Sequence, residues 1–277
     1  MIQVKEIQAK SCMTKSKLTD YVINPYTGCE HGCFYCYADF IKRFQNIKEN
    51  WGEFVYAKVN FPELLEKEIE KAKPGNIWLS SVCDCYQPIE KKYKLTRKIL
   101  EIIANFKNKD KFTMEILTKS SLVERDFDLI KKIGDKVELG MSLGLVDDKI
   151  AKIIEPNASL PSERLETLKK AHEFGIKTYG FISPVLPGIA NLDEIFKKLK
   201  EAKVNYVWVE LLNIRKTLLD KMIPFVKKNL PEKLKDFENM IKNYGDYVKS
   251  RRKEIKELEK KYNLRVKEVV VHERDRR

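Results

Sequence analysis

The sequence predicts an α/β protein: an incomplete TIM-type (β/α)6 barrel followed by a long C-terminal helix. Three observations carry that prediction. Six short runs rich in β-branched and aromatic residues alternate with segments of helical period between positions 21 and 212, the pattern of parallel strands joined by right-handed helical crossovers. The sixth run, 206–212, is nearly all apolar, as a strand covered on both faces must be. A chain of 277 residues that is 43% hydrophobic can bury one core of barrel size.

Taken in order, residues 1–20 are polar and read as a lead-in across one end of the barrel. Positions 21–23 form the first strand, and 38–47 the first helix, with Phe40, Phe44 and Ile47 on one face. Pro62 opens the next helix, where its fixed φ and missing N–H cost least. Leu65, Ile69 and Ala72 are its buried stripe and Pro74-Gly75 its stop. Strand two is 76–82. A helix from Thr96 carries Ile99, Ile102, Ile103 and Phe106 at i, i+3, i+4 and i+7. Strand 112–118, helix 122–133 and strand 137–143 follow. Leu165, Leu168, Ala171 and Phe174 mark a helix ending at Gly175, a residue suited to a left-handed cap. Strand 177–183, a helix through Leu192, Ile195, Phe196 and Leu199, and strand 206–212 complete the series. The implied domains are the lead-in 1–20, a core 21–215, and a helical extension 216–277 ending in a basic tail. From Leu234 to Tyr262 apolar residues step by three and four, interrupted by Gly245 and Arg251. This seam fits a helix packed along the barrel, or self-association through a coiled coil. Residues 251–277 hold eleven Lys and Arg against six Asp and Glu, a mild excess suited to a solvated face.

Fifty-four Lys and Arg against 41 Asp and Glu leave a net charge of +13 and a pI near 9.2. Such an excess concentrates anionic partners, nucleic acid among them. A Lys/Glu-rich surface of a heat-adapted protein would tilt the same way, so both readings stand. No stretch approaches the roughly 20 apolar residues of a membrane span. Residues 1–10 lack an apolar signal core, so a cytoplasmic location is expected. Six cysteines in this length do not make a disulfide framework.

The chemistry centres on Asn24-Pro-Tyr-Thr-Gly-Cys-Glu-His-Gly-Cys-Phe-Tyr-Cys-Tyr37. Cys29, Cys33 and Cys36 form a C-x3-C-x2-C loop, and Gly28 and Gly32 allow its backbone to turn tightly. A four-iron cluster normally takes four cysteine thiolates, so three leave one iron open. A zinc loop or three reduced structural thiols are the alternatives. The whole run, with aromatic Tyr35 before the last cysteine, resembles the radical S-adenosylmethionine (radical SAM) superfamily, in the branch related to spore photoproduct lyase and called DNA repair photolyase-like. That resemblance spans about residues 15–215 and implies the same (β/α)6 barrel.

It further implies a [4Fe-4S] cluster on Cys29, Cys33 and Cys36, with S-adenosyl-L-methionine on the open iron. Reductive cleavage of the sulfonium would give methionine and a 5′-deoxyadenosyl radical, fed by an electron donor such as ferredoxin or flavodoxin. In Ser80-Ser-Val-Cys-Asp-Cys-Tyr-Gln-Pro-Ile-Glu90 the residues Asp84, Tyr86, Gln87, Pro88 and Glu90 match the family pattern, whereas Cys83 and Cys85 replace its Thr and Pro. The hydrogen-atom-donating cysteine of spore photoproduct lyase would fall near Ser81. If the strand stays regular, residues 81, 83 and 85 share one face, which makes Cys83 and Cys85 candidate hydrogen-atom donors or metal ligands, or buried thiols. Lys119, in Thr-Lys-Ser, and Ser142 match family residues implied to contact the cofactor. Tyr35, Ser81 and Asp84 are grouped with them. Glu155-Pro156 with Arg164-Leu165 matches a family pair expected to be structural. Glu210, Asn213 and Arg215 are weaker candidates for substrate contact; His31 lies in the cysteine loop, and His172 and His272 read as surface residues. The resemblance leaves the substrate open: nucleic acid, a peptide or a small metabolite. The competing non-catalytic reading is an iron–sulfur or zinc protein that binds nucleic acid.

Overall fold

The computed structural model describes residues 2–272. In chain order its strands are β1 (Gln3–Ile7), β2 (Tyr21–Ile23), β3 (Tyr26–Thr27), β4 (Phe54–Lys58), β5 (Gly75–Leu79), β6 (Phe112–Thr118), β7 (Val137–Ser142), β8 (Lys177–Val185), β9 (Tyr206–Leu211) and β10 (Val266–Val270). Among the described residues, seven of them form one sheet in the order β10-β9-β8-β7-β6-β5-β2. Every neighbouring pair in it is parallel. The expected incomplete α/β barrel is therefore present, with its six strands in order and one more added at the far edge. Ile23, Leu79, Ile116, Leu139, Ile182 and Val209 are sealed inside it.

The sequence pattern places the helices that wrap the barrel. Phe61–Lys71, with proline in its first turn, buries Phe61, Leu65 and Ile69. Leu95–Asn105 buries Ile99, Leu100 and Ile103, and Leu192–Glu201 buries Ile195, Phe196 and Leu199. These helical-period stripes supply the outer half of the core.

Several expectations are corrected. Residues 1–20 are not only a lead-in: β1 pairs in parallel with β4, which pairs antiparallel with β3. This three-stranded sheet backs the cysteine loop. Strand two stops at Leu79 rather than 82, because Ser80 takes φ +70° and Val82 N–H turns aside to Asn24 Oδ1 at 3.1 Å. The first helix is a 3-10 turn, Tyr37–Phe40, running into a short helix, Ile41–Gln45. Its expected buried stripe faces water: Phe40 is 43% and Phe44 80% exposed, and only Ile47 is buried.

After β9 the chain forms helices Lys216–Asn229, Leu234–Lys242 and Tyr244–Tyr262 before returning as β10. The seam read through 234–262 is thus broken at Asn243, and its two parts serve different cores. Ile255 and Leu258 join the barrel core, where Tyr244–Tyr262 packs beside Leu192–Glu201. Phe237 and Met240 join a second core with Met222, Val226, Ile154, Cys33 and Tyr35. The basic tail in 273–277 lies outside the described residues.

Candidate active site

β3 delivers the chain directly into the cysteine loop, at the carboxyl edge of the barrel where such folds gather their chemistry. Gly28 has φ +87°, and a Cβ there would stand 2.4 Å from the Phe54 carbonyl oxygen. Only glycine lets the loop lie this close to β4. Gln87 clamps the loop from the other side: its Oε1 accepts from Glu30 N–H at 2.8 Å and its Nε2 donates to the Gly28 carbonyl at 3.2 Å. Glu30 in turn accepts from the Ile89 amide. Asn157 Nδ2 donates to the Glu30 carbonyl at 2.7 Å. The residues Gln87-Pro-Ile-Glu90 are therefore the brace of the cysteine loop.

All six cysteines are free thiols. Cys29 and Cys33 are buried and Cys36 half-buried. Cys29 feels the charges of both other loop thiols, so the three share one electrostatic neighbourhood. Burial pushes all three thiols up, Cys33 to about 12. Thiolates here thus call for a cationic centre to hold them. Hydrogen bonds from the backbone of Ala38 and the indole of Trp51 favour the anionic form of Cys36, as donors around sulfur ligands do. Among the described residues no three His, Cys, Asp or Glu side chains are gathered about a point that would hold a single ion. The fit to an iron–sulfur group rests on the donor chemistry: three soft thiols, N–H groups aimed at sulfur, and Lys119 offsetting negative charge at Cys33.

A buried ion pair lies directly under the loop. Arg164 and Glu155, both with wholly buried side chains, form a salt bridge, and the Tyr35 hydroxyl donates to the other carboxylate oxygen of Glu155. Arg164 also donates to the carbonyls of Ser159 at 2.8 Å and Ser142 at 3.0 Å. This ties the end of β7 to the loop through Tyr35. Lys119 stands 5.7 Å from the centre of the Tyr35 ring. Burial alone would lower its pKa, but Cys33 and Glu155 opposite it outweigh that and hold it raised, so the ammonium stays charged. Asp84 accepts from Thr118 Oγ1 at 2.7 Å and from the Lys119 and Tyr86 amides at 2.8 and 2.9 Å. Its other neighbour is His31, with Nδ1 at 3.4 Å; burial holds the His31 pKa down. Asp84 therefore fixes the strand end that presents Lys119.

The remaining candidates separate. Ser81 sits on the lip, bonded through Oγ to Asn24 Nδ2 at 3.4 Å, and its carbonyl accepts from the Tyr37 hydroxyl. Cys83, half-buried, lies 3.5 Å from Ser80 Oγ and packs against Tyr26, Val55 and Ala57. Cys85 is fully buried in the barrel core. Because the strand ends at Leu79, residues 81, 83 and 85 do not share a face. Ser142 is buried at the end of β7.

Three features escaped the sequence reading. Tyr37 bridges the loop to the lip. The helix Lys216–Asn229 roofs the loop: Phe225 stacks on Phe34 with centroids 4.5 Å apart, and Lys221 pairs with Asp39. His272 is not a plain surface residue, since its Nε2 lies 2.7 Å from Glu210 Oε1, whose other oxygen accepts from Ser183. The glycine-free aromatic stretch Phe34-Tyr35 and the amphipathic run 216–229 were the available signals.

Comparison with known proteins adds four likenesses. A sequence profile of the Radical SAM superfamily matches residues 23–196. An uncharacterized protein of Methanocaldococcus jannaschii is 37% identical over 276 residues, covering 98% of each chain. A radical SAM Nalpha-GlyT isomerase of Pseudomonas phage M6 is 24% identical over 84% of this chain and 47% of its own length. Among solved structures, spore photoproduct lyase complexed with dinucleoside spore photoproduct aligns with a TM-score of 0.61 at 17% identity, over 83% of this chain and 67% of that one; this likeness bears on the fold. No helix among the described residues is long and apolar enough to cross a membrane.

Proposed function

The chain belongs to the radical SAM superfamily, and from that premise we propose an enzyme in which Cys29, Cys33 and Cys36 hold a [4Fe-4S] cluster beside S-adenosylmethionine and act on nucleic acid. When bound, the cluster and S-adenosylmethionine supply one-electron cleavage of the sulfonium and hence a carbon radical able to abstract hydrogen. The observation that carries this reading is the set of three thiols at Cys29, Cys33 and Cys36 on one loop hinged at Gly28, two buried and one half-buried, at the barrel's carboxyl edge, with Lys119 beside Tyr35 of the same loop.

The protein's own residues have separate tasks. Lys119, kept cationic, offers a partner to the cofactor's carboxylate, and Ser142 offers a hydroxyl at the neighbouring strand end. Asp84 keeps Lys119 in register through its backbone, while Tyr35, Glu155 and Arg164 hold the loop against β7. The stacked Phe34 and Phe225 exclude water from the loop's outer side. Cys83, half-buried behind Ser80 and Asn24, is better placed to give up a hydrogen atom than Cys85, which is sealed in the barrel core. An acidic electron donor of ferredoxin or flavodoxin type suits the basic chain. The nucleic-acid substrate is supported by the +13 charge and by the dinucleoside spore photoproduct bound in the structural relative.

The test is anaerobic. Protein loaded with iron and sulfide, given S-adenosylmethionine and dithionite, is expected to release 5′-deoxyadenosine, and Cys33→Ala to release none. Selective loading of zinc, giving a colourless protein, would sink the enzyme reading.

A further inference from the structure

An eight-residue span beside the cysteine loop exposes three aromatic rings. Tyr37 is 51%, Phe40 43% and Phe44 80% exposed. They follow one another in space, with Tyr37 to Phe40 nearly parallel at 6.4 Å and Phe40 to Phe44 edge-on at 6.1 Å. Folding gains little from them, since each leaves much of its apolar ring in water. A contiguous patch of this kind marks a contact surface.

Its flanks are cationic. Lys42 and Arg43 lie between Phe40 and Phe44 in sequence, Arg43 is exposed, and Lys48 follows. The one acid within 37–48, Asp39, is already paired with Lys42 at 3.7 Å and with Lys221. The row also has a direction: at its inner end the Tyr37 hydroxyl donates to the Ser81 carbonyl on the barrel's lip.

From this we infer that Tyr37, Phe40 and Phe44 form a stacking track for single-stranded nucleic acid, with the exposed Arg43 meeting its phosphates, that leads a base to the lip at Ser81. Rings that stack successive bases beside cations that follow the backbone are how sequence-tolerant single-strand binding is built. An acidic redox protein would also meet cations here, but it gives no reason for a row of rings running inward to the substrate side of the barrel. The inference rests on the nucleic-acid reading above.

The test uses the full-length, anaerobically reconstituted protein and a fluorescein-labelled single-stranded oligothymidylate, read by anisotropy across a salt series. Phe40→Ala and Phe44→Ala are each expected to weaken binding about fivefold or more while leaving the salt slope unchanged. Phe44→Trp keeps wild-type affinity. Arg43→Gln flattens the slope by about one. Equal thermal midpoints show that the exposed substitutions leave the fold intact. Tight, salt-sensitive binding by the wild type that Phe44→Ala does not weaken overturns the track and leaves the nucleic-acid reading standing. No salt-sensitive binding by the wild type overturns both. Slower reduction of Phe44→Ala by an acidic flavodoxin, with oligonucleotide binding unchanged, overturns the track in favour of a redox docking surface.

Discussion

Arg164 is a fully buried cation whose charge has one carboxylate to meet it, that of Glu155. Arg164→Met would strand that carboxylate in the interior with only Tyr35 as donor. We expect a loss of about 3–5 kcal/mol in urea unfolding, because removing one partner of a buried pair leaves an uncompensated charge. The double variant Glu155→Leu with Arg164→Met should recover much of it. Glu138, on β7, gives a pH signature far from the site. Burial would raise its pKa, but hydrogen bonds from Lys177 and Tyr206 outweigh that and hold the carboxyl below its usual range. A carboxyl depressed in the folded state contributes stability above its unfolded pKa, about 4.3, and loses it as pH falls through the lower folded value. The difference in unfolding free energy between wild type and Lys177→Ala should therefore be flat above about pH 5 and shrink on further acidification. At this scale the sequence was partly legible. The family resemblance marked Glu155 and Arg164 as a pair, but Tyr35 as its third member needs the loop folded back over 120 residues of chain. His272 could not be joined to Glu210 without knowing that the chain's end returns to the sheet.

Among the elements, the cysteine loop depends on backbone that only glycine tolerates. Gly28→Ala would force a Cβ into the Phe54 carbonyl and hold φ near +87°. It should cost about 1–3 kcal/mol for the strained conformation alone, with the clash adding to it. Iron content after reconstitution should fall with it, whereas Gly245→Ala, which meets nothing within 4 Å, should leave both unchanged. The barrel strands were legible because a doubly covered parallel strand writes itself as a short, mostly apolar run, as 206–211 does, and because 112–118 alternates buried Phe112, Met114 and Ile116 with less covered residues. β1 and β4 were missed because Gln3–Ile7 is exposed and polar, and its strand state comes from pairing with Phe54–Lys58 rather than from pattern. The stripe of Phe40 and Phe44 misled in the opposite sense: its period was helical and its rings apolar, yet among the described residues both rings stay exposed.

Over the whole molecule the sheet does not close. β2 stands at one edge and β10 at the other, and β10 covers the flank of β9 that six strands would have left bare. Unpaired edges invite association. A chain ending at Tyr262 should lose the packing of Leu264, Val266 and Val269 against the core, lower the thermal midpoint by about 5–10 °C, and show added self-association by light scattering. The fold class was readable from alternation alone; the seventh strand was not, since 266–270 is short and charged and lies beyond the helices that obscure its connection to the barrel.

The roof over the cysteine loop also imposes an order on manufacture. Met222 and Phe225 leave the ribosome about 190 residues after Cys33. Through most of synthesis the thiols are therefore made without the helix that covers them. Once Lys216–Asn229 and Leu234–Lys242 settle, the same thiols lie beneath a second apolar core. For the cluster proposed above, loading is expected to favour the nascent or loosened chain, and reconstitution of the finished apoprotein should be slow unless that roof is first lifted.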